Sequence, residues 1–134
     1  MKQIFSTLIL IIISFSVVVA QQVPEGIVKA FEKGNTKQLA VYLNDNVEIK
    51  LIEKEYVTSK NQAIRILQDF FKQYPPVSFD VTYKDVKKNT NYGVGLLKTK
   101  KAEFKVDLYF LDGREEKIIY YLIFEKTEEW ENGP

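Results

Sequence analysis

The sequence predicts an α+β domain in which helices precede an antiparallel sheet. Residues 24–76 carry helix caps and apolar residues at helical spacing, interrupted by one short alternating segment. Residues 77–126 instead alternate apolar and polar side chains in segments that are separated by turn formers such as Asp112-Gly113. Helices and strands that are segregated along a chain are typical of helices packed on one face of an antiparallel sheet.

The first part of the chain, residues 1–20, has the features of a cleaved signal peptide. Lys2 provides a short positive region, residues 4–19 are almost wholly apolar, and Ala20 and Val18 occupy the −1 and −3 positions of a cleavage site. The alternative is a membrane anchor, since the apolar run is near the lower limit of roughly 17–20 residues that spans a bilayer. No basic cluster follows the run, so we favour cleavage. We expect a secreted protein, periplasmic or extracellular, that has no membrane contact after cleavage.

Residues 21–134 are expected to form a single domain with a short acidic C-terminal tail. Without residues 1–20 the chain has equal numbers of basic and acidic residues, whereas nucleic-acid-binding domains usually show a basic surplus, so we expect no nucleic-acid partner. The chain has no cysteine, which excludes disulfides, thiolate metal sites and a lipid-bearing cysteine. It has no histidine, the commonest metal ligand and the commonest general base near neutral pH, and no cofactor is predicted.

Two short helices are predicted at the start of the domain. The first begins at Val23-Pro24, where proline suits the first turn, and ends at Gly34. The second begins at Asn35, which has Gln38 in capping-box spacing. We expect it to end at residues 44–46, Asn-Asp-Asn, because these residue types favour turns.

A longer third helix is predicted to begin at Ser59, which has Gln62 three residues later in a second capping box. It stops at Pro75-Pro76, because neither proline donates a helix hydrogen bond. Its apolar residues form one stripe that we expect to pack on the sheet: Ala63, Ile66, Leu67, Phe70 and Tyr74, widened by Ile64 and Phe71.

Five strands are predicted, one before the third helix and four after it. The first covers residues 47–51, and a charged bend at residues 53–55 then leads into the third helix. The later strands cover about residues 77–83, 92–96, 102–110 and 117–126, with a turn at residues 87–91. Gly93 and Gly95 share one face of their strand, which indicates a bend or a close approach by another backbone.

The last predicted strand is apolar on both faces, with Ile118, Tyr120, Leu122 and Phe124 on one and Ile119, Tyr121 and Ile123 on the other. A sheet with one solvated face would instead alternate apolar and polar residues. Either the C-terminal tail or a second subunit would cover the outer face. The candidate homodimer surface therefore consists of Tyr109, Ile119, Tyr121 and Ile123.

The register of this strand depends on the hairpin loop before it. A two-residue turn at Asp112-Gly113 pairs Val106 with Ile119, whereas a five-residue loop pairs Val106 with Leu122. A slip of one residue exchanges the faces of the strand. We favour the longer loop, because Glu115 and Glu116 suit a solvated tip.

No residue set is strong enough to predict an enzyme, a catalytic residue or a metal site. A carboxylate with a tyrosine can catalyse isomerisation without histidine, and the candidates are Asp80 or Asp107 with Tyr42 or Tyr120. Both aspartates fall on the polar phase of their strands, so we expect exposed surface acids. Residues 44–46 lack the spaced acidic ligands of a calcium loop. The alternative, a small isomerase or hydratase, requires a buried carboxylate within hydrogen-bond reach of a tyrosine.

Aromatic residues are the feature most relevant to binding: the chain has nine Phe, eight Tyr and one Trp. Large apolar side chains form cores, but aromatics with a few polar groups also line ligand pockets. We expect Leu67 and Phe70 in the core. Phe71 and Tyr74, at the end of the third helix, and Tyr42 are candidate rim residues of a ligand pocket.

Several segments resemble those of a known family. They run from GIVKAFEKGN to FFKQYPPVSF, then through YGVGLLKTKKAEFKVDLYFL and IIYYLIFEK, and their most specific pieces are GN…LA.YL, S..QA..IL.DFF and Y.VG.L. The chain resembles a family of short secreted bacterial proteins of unknown function in the nuclear transport factor 2-like, cystatin-like superfamily. The resemblance implies two short helices and one longer helix on the concave face of a curved, mostly antiparallel sheet, a cone that often holds a pocket. It implies no catalytic residues, so we expect a non-enzymatic domain that binds a small apolar ligand or a protein partner.

Overall fold

The computed structural model describes residues 23–82 and 91–128, which fold into three helices and one six-stranded sheet. In chain order the elements are α1 (Glu25–Lys33), α2 (Thr36–Ala40), β1 (Leu43–Leu51), β2 (Lys54–Ser59), α3 (Lys60–Gln73), β3 (Pro76–Thr82), β4 (Tyr92–Thr99), β5 (Glu103–Phe110) and β6 (Ile119–Lys126). The strand order is β2-β1-β6-β5-β4-β3, with β1 and β6 parallel and the other neighbours antiparallel. The α+β class, with helices on the concave face of a curved and mostly antiparallel sheet, is confirmed.

Three predicted features lie wholly or largely outside the described residues: the signal peptide, the turn at residues 87–91 and the acidic C-terminal tail. Within the described ranges no helix is both long and apolar enough to cross a membrane. The domain boundaries at residues 20 and 21 therefore stay a prediction from the sequence.

The end of the first helix and the start of the second lie where their capping residues predict. Gly34 adopts the left-handed conformation, with φ of 61°, after α1. The Asn35 side chain accepts a hydrogen bond from the Gln38 backbone N–H at the start of α2. The expectation that residues 44–46 end this helix is wrong, because the chain enters the sheet at Leu43 and these residues belong to β1.

The third helix begins and ends as predicted. Ser59 Oγ accepts the backbone N–H of Gln62 over 3.3 Å, and the helix ends before the two prolines. Its buried residues are Ala63, Leu67, Phe70 and Phe71, with Ile64, Ile66 and Tyr74 partly buried. Burial of one side chain of the size of Leu67 or Phe70 stabilises by about 1.5–3 kcal/mol. This stripe therefore contributes more than the cap to holding α3 on the sheet.

Phenylalanine rings from helices and strands meet in one cluster at the centre of the core. Phe31 of α1 stacks on Phe79 of β3, with ring centroids 4.7 Å apart. Phe70 of α3 lies 5.1 Å from Phe104 and 4.8 Å from Phe124, between centroids. All five rings are buried, so the core role predicted for Phe70 is confirmed.

The strand β2 is not among the predicted strands. It pairs with β1 through a two-residue turn at Ile52-Glu53, where the sequence predicts only a charged bend. Ile52 has φ of 59°, a left-handed conformation that β-branched residues rarely adopt. Two-residue hairpin turns usually contain Gly, Asn or Asp. This hairpin lacks those residue types, so the sequence does not predict it.

A β-bulge changes the faces of the last strand. Tyr109 pairs with Tyr121, but Phe110 pairs with Ile119, so β6 has an extra residue, Tyr120, at this point. The extra residue places Ile119 in the core, with an exposed fraction of 0 %, and leaves Tyr120 exposed. The expectation that Ile119 belongs to an outer homodimer surface is therefore wrong.

The loop between β5 and β6 is longer than either predicted alternative. It covers residues 112–117, and Val106 pairs with Phe124 rather than with Leu122 or Ile119. Both predicted registers are wrong. The favoured one still assigns Leu122 to the core face, because loop and bulge together shift the pairing by two residues and an even shift preserves the faces.

Candidate functional site

A groove runs along the domain between α3 and β2. Near the C-terminal end of α3 it forms a pocket of about 420 Å³, the aromatic section of the groove. Phe70 and Tyr74 of α3 line this section together with Tyr56 of β2 and with Leu51 and Ile52 at the β1–β2 turn. A concave and mostly apolar surface with a few polar groups is typical of small-molecule sites.

The groove continues toward the N-terminal end of α3 as a polar section of about 570 Å³. Tyr56 and Ile66 line both sections, which therefore adjoin at these two side chains. In the polar section Thr58 Oγ1 donates a hydrogen bond of 3.0 Å to Gln62 Oε1, and Arg65 lies beside them. The two sections together are named the α3–β2 groove.

Charged side chains surround the groove. Arg65 lies at the polar section, and Glu53, Lys54 and Asp69 lie at the aromatic section. All four are exposed, and none takes part in the ion pairs formed within residues 23–82 and 91–128. The groove therefore presents charged groups of both signs to a ligand.

The three residues predicted as a pocket rim lie in three different places. Tyr74 lines the aromatic section and packs with its ring centroid 4.9 Å from that of Phe104. Phe71 is 6 % exposed and packs edge-on against Phe31 in the core, with centroids 6.1 Å apart. Tyr42 lines a separate pocket of about 620 Å³ beside the β5–β6 loop. The structure therefore brings only Tyr74, of these three, to the groove.

Most groove residues that the sequence does not predict lie on the β1–β2 hairpin. Ile52 and Tyr56 line the groove, but without a predicted strand nothing places them near α3. A usable signal is the alternation within β2, where Tyr56 and Thr58 face the helices and Glu55 and Val57 do not.

Tyrosines cover part of the sheet face opposite the helices. Tyr92, Tyr109 and Tyr121 form one row across β4, β5 and β6, with neighbouring ring centroids 4.9 and 5.4 Å apart. Ile123 lies on the same face and is, like the tyrosines, half-buried. Three of the four residues predicted as a homodimer surface therefore share this outer face.

Asp107 lies on the outer face and is buried, which corrects the expectation of an exposed acid. Its exposed fraction is 6 %, because it pairs between two apolar positions, Val94 and Ile123, beside the tyrosine row. Its Oδ1 accepts a hydrogen bond of 2.8 Å from the Tyr92 hydroxyl, and Lys105 Nζ lies 3.7 Å away. Burial, then this hydrogen bond and the charge of Asp107, raise the pKa of Tyr92 well above its ordinary value of 10.0.

Solved structures define the fold class of the domain. The structure Rd1NTF2_04 with long sheet has a TM-score of 0.59 at 13% identity and covers 75% of this chain and 94% of its own. A protein from Sinorhizobium meliloti, provisionally assigned as a polyketide cyclase, has a TM-score of 0.58 at 13% identity and covers 78% and 99%. Such identities concern the fold alone. The domain has the nuclear transport factor 2-like fold that the sequence resemblance implies.

Within that class, residues 24–125 match the family model described as Domain of unknown function (DUF4783). The chain belongs to this family, which confirms the resemblance to a family of unknown function. A DUF4783 family protein from Bacteroides uniformis ATCC 8492 has a TM-score of 0.71 at 28% identity and covers 79% of this chain and 98% of its own. No curated protein matches the chain significantly.

Proposed function

We propose that this domain binds a small apolar ligand, with an aromatic or alicyclic ring, in the aromatic section of the α3–β2 groove. The observation that carries the proposal is the pocket of about 420 Å³ whose walls combine Tyr56, Phe70 and Tyr74 with the aliphatic Leu51 and Ile66. Small-molecule pockets measure roughly 300–1,000 Å³ and use the same combination of apolar walls and a few polar groups.

The pocket walls are already fixed by the core, which favours binding. Phe70 packs against Phe104 and Phe124, and Tyr74 packs against both Phe70 and Phe104. A ligand therefore loses little affinity to ordering of the protein. At about −0.3 kcal/mol per non-hydrogen atom, a ligand of about twenty such atoms binds with about −6 kcal/mol, a Kd of tens of micromolar.

Binding rather than catalysis is proposed because the acids at the aromatic section are not shielded from solvent beside a tyrosine. Glu53 and Asp69 are exposed to solvent. An isomerase that works without histidine instead keeps a catalytic carboxylic acid in a buried, apolar site. Asp107 and Tyr92 meet the distance requirement of an isomerase or hydratase. They lie on the sheet face opposite the helices, away from the groove.

The proposal is tested by filling the pocket from its rim. Asp69 lines the aromatic section and is exposed, and its side chain forms no hydrogen bond or ion pair within the described residues. Asp69→Trp therefore adds bulk without removing such a contact. We expect the wild type to give saturation-transfer NMR signals with indole and naphthol, and Asp69→Trp to abolish them. Gln68→Trp, which faces the surface near Phe71 instead, is the control and should retain them. Equal binding by Asp69→Trp, or none by the wild type, would contradict the proposal.

A second candidate function is self-association through the outer sheet face. The observation that favours it is the half-buried row of Tyr92, Tyr109 and Tyr121 beside Ile123, since aromatic residues are enriched at interfaces. Tyr109→Lys should shift a dimer to monomer in sedimentation equilibrium at high micromolar concentration. A wild-type protein that is monomeric under these conditions would contradict this function.

We further propose that the domain acts outside the cytoplasm, on the basis of the signal features of residues 1–20. Mass spectrometry of the protein isolated from a bacterial envelope or medium should give a mature chain that begins at Gln21. An intact chain that retains Met1 and remains in the membrane fraction would instead indicate an anchor.

A further inference from the structure

Among the residues that the structure describes, β2 is an edge strand with no strand on its outer side. It stands at the end of the strand order and, within those residues, pairs with β1 alone. Val57 in its centre has an exposed fraction of 83 %, the highest among the large hydrophobic residues of the described ranges. The unpaired N–H and C=O groups of such an edge form a template for pairing with another chain.

The register of the β1–β2 hairpin determines which backbone groups are available. The two-residue turn at Ile52-Glu53 makes Leu51 and Lys54 the hydrogen-bonded closing pair. Hydrogen-bonded and non-hydrogen-bonded pairs alternate along an antiparallel ladder, so the N–H and C=O groups of Glu55 and Val57 point away from β1. Both residues also line the polar section of the groove.

We infer that the α3–β2 groove binds an extended peptide, which adds to β2 as an antiparallel strand. The peptide backbone pairs with Glu55 and Val57, and its alternate side chains enter the groove, because successive side chains of a strand point to opposite faces. The side chain opposite Tyr56 meets Ile66, where the two sections join. This inference rests on the proposed function, since one side chain of the peptide occupies the aromatic section.

Charges along the groove set the order of side chains in the peptide. An antiparallel peptide begins beside Thr58 and ends beside Lys54. At its beginning lies Arg65, which forms no ion pair within the described residues, so an acidic side chain fits opposite Thr58. An aliphatic side chain fits opposite Tyr56, and an aromatic one opposite Lys54 enters the aromatic section. The complementary pattern is acidic–X–aliphatic–X–aromatic, in which X points to the outer face.

The test titrates the full chain with the acetylated and amidated peptide TETITFT and with forms that carry one N-methyl group, by isothermal titration calorimetry. In the inferred register the amides of the third and fifth peptide residues donate to β2, whereas those of the fourth and sixth face solvent. N-methylation at the third or fifth residue should weaken binding about tenfold, the loss of one main-chain hydrogen bond. N-methylation at the fourth or sixth should change it less than about twofold. Equal effects at all four positions overturn strand addition.

Charge reversal at Arg65 tests the orientation of the peptide. Arg65→Glu should weaken binding of this peptide by about fivefold and should favour a variant in which lysine replaces its glutamate. Lys72→Glu makes the same change on α3 but on the surface near Phe71, and it should leave both affinities unchanged. An unchanged preference in Arg65→Glu overturns the antiparallel orientation.

The outcomes also separate this inference from the proposed function. If indole binds the aromatic section but the peptide does not bind, the peptide inference fails and the small-ligand function stands. If neither binds, both fail. If the peptide binds only after removal of residues 129–134, those residues of the chain itself are the occupant and the inference is overturned.

Discussion

At the scale of single residues, Gly95 shows how the core uses the absence of a side chain. A Cβ atom on Gly95 would lie 2.2 Å from Cζ of Phe79, whose ring covers the glycine from the neighbouring strand β3. The sequence predicts either a bend at this position or a close approach by another backbone. The approaching group is an aromatic ring instead, because β3 places Phe79 on the core face beside it.

Gly95→Ala should therefore lower the free energy of unfolding by about 1–3 kcal/mol, since the Phe79 ring has to move. In a Phe79→Leu background the same change should cost less, because leucine leaves more space. Urea denaturation of the four proteins of this double-mutant cycle measures the coupling. Strictly additive losses would contradict the contact.

The contact between Tyr92 and Asp107 predicts a dependence of stability on pH. Tyr92→Phe removes the hydroxyl that donates a hydrogen bond to the buried carboxylate of Asp107. The change should lower the free energy of unfolding by about 1–2 kcal/mol at neutral pH. The pKa of Tyr92 is raised above 10.0 in the folded protein, which therefore holds the phenol proton more tightly than the unfolded chain does. This stabilisation is complete below about pH 10 and is lost as the pH rises toward the folded-state pKa.

Urea denaturation at a series of pH values between about 8 and 11 measures this effect. The stability difference between the wild type and Tyr92→Phe should shrink above about pH 10. Tyr74→Phe is the matched control for the loss of a phenol, because the Tyr74 hydroxyl makes no hydrogen bond within the described residues. A Tyr92→Phe difference that stays constant over this pH range would show that the phenol proton is not held by Asp107.

At the scale of elements, the helices follow from local chemistry whereas two features of the sheet do not. Gly34, Asn35 and Ser59 mark helix ends because each cap acts on backbone groups within about four residues. The turn at Ile52 lacks the residue types that favour a hairpin, so β2 is not predicted. The bulge at Tyr120 arises from the fit of the whole β5–β6 hairpin, which no local pattern encodes.

The β1–β2 turn carries backbone strain that substitution can measure. Ile52→Gly and Ile52→Ala both remove the side chain beyond Cβ, but only glycine, which also lacks Cβ, adopts φ of 59° without a penalty of about 1–2 kcal/mol. Allowing for the greater flexibility of glycine in the unfolded chain, we expect Ile52→Gly to be more stable than Ile52→Ala by about 1 kcal/mol. Equal midpoints of urea denaturation would contradict strain at this turn.

At the scale of the whole molecule, the sheet separates two surfaces with different chemistry. The concave side holds the phenylalanine core and, at the β2 margin, the α3–β2 groove. The outer side holds the tyrosine row and buried Asp107. Since one fold supports many functions, we infer binding from the groove rather than from the nuclear transport factor 2-like class.

Only part of this site follows from the sequence, for reasons of tertiary packing. Tyr74 is found because it ends the apolar stripe of α3. Helical periodicity cannot distinguish the core residue Phe71 from the groove residue Tyr74. The burial of Phe71 depends on its packing against Phe31 of α1. Tyr42 lines a different pocket, because it lies beside residues of the β5–β6 loop.

The most direct test of the binding function is a titration of isotopically labelled residues 21–134 with indole, followed by amide chemical shifts. We expect the largest shift changes at Leu51 to Tyr56 and at Ile66 to Tyr74, the two sides of the aromatic section. Largest changes around Tyr109 and Tyr121 on the outer sheet face, or no changes at millimolar indole, would contradict it.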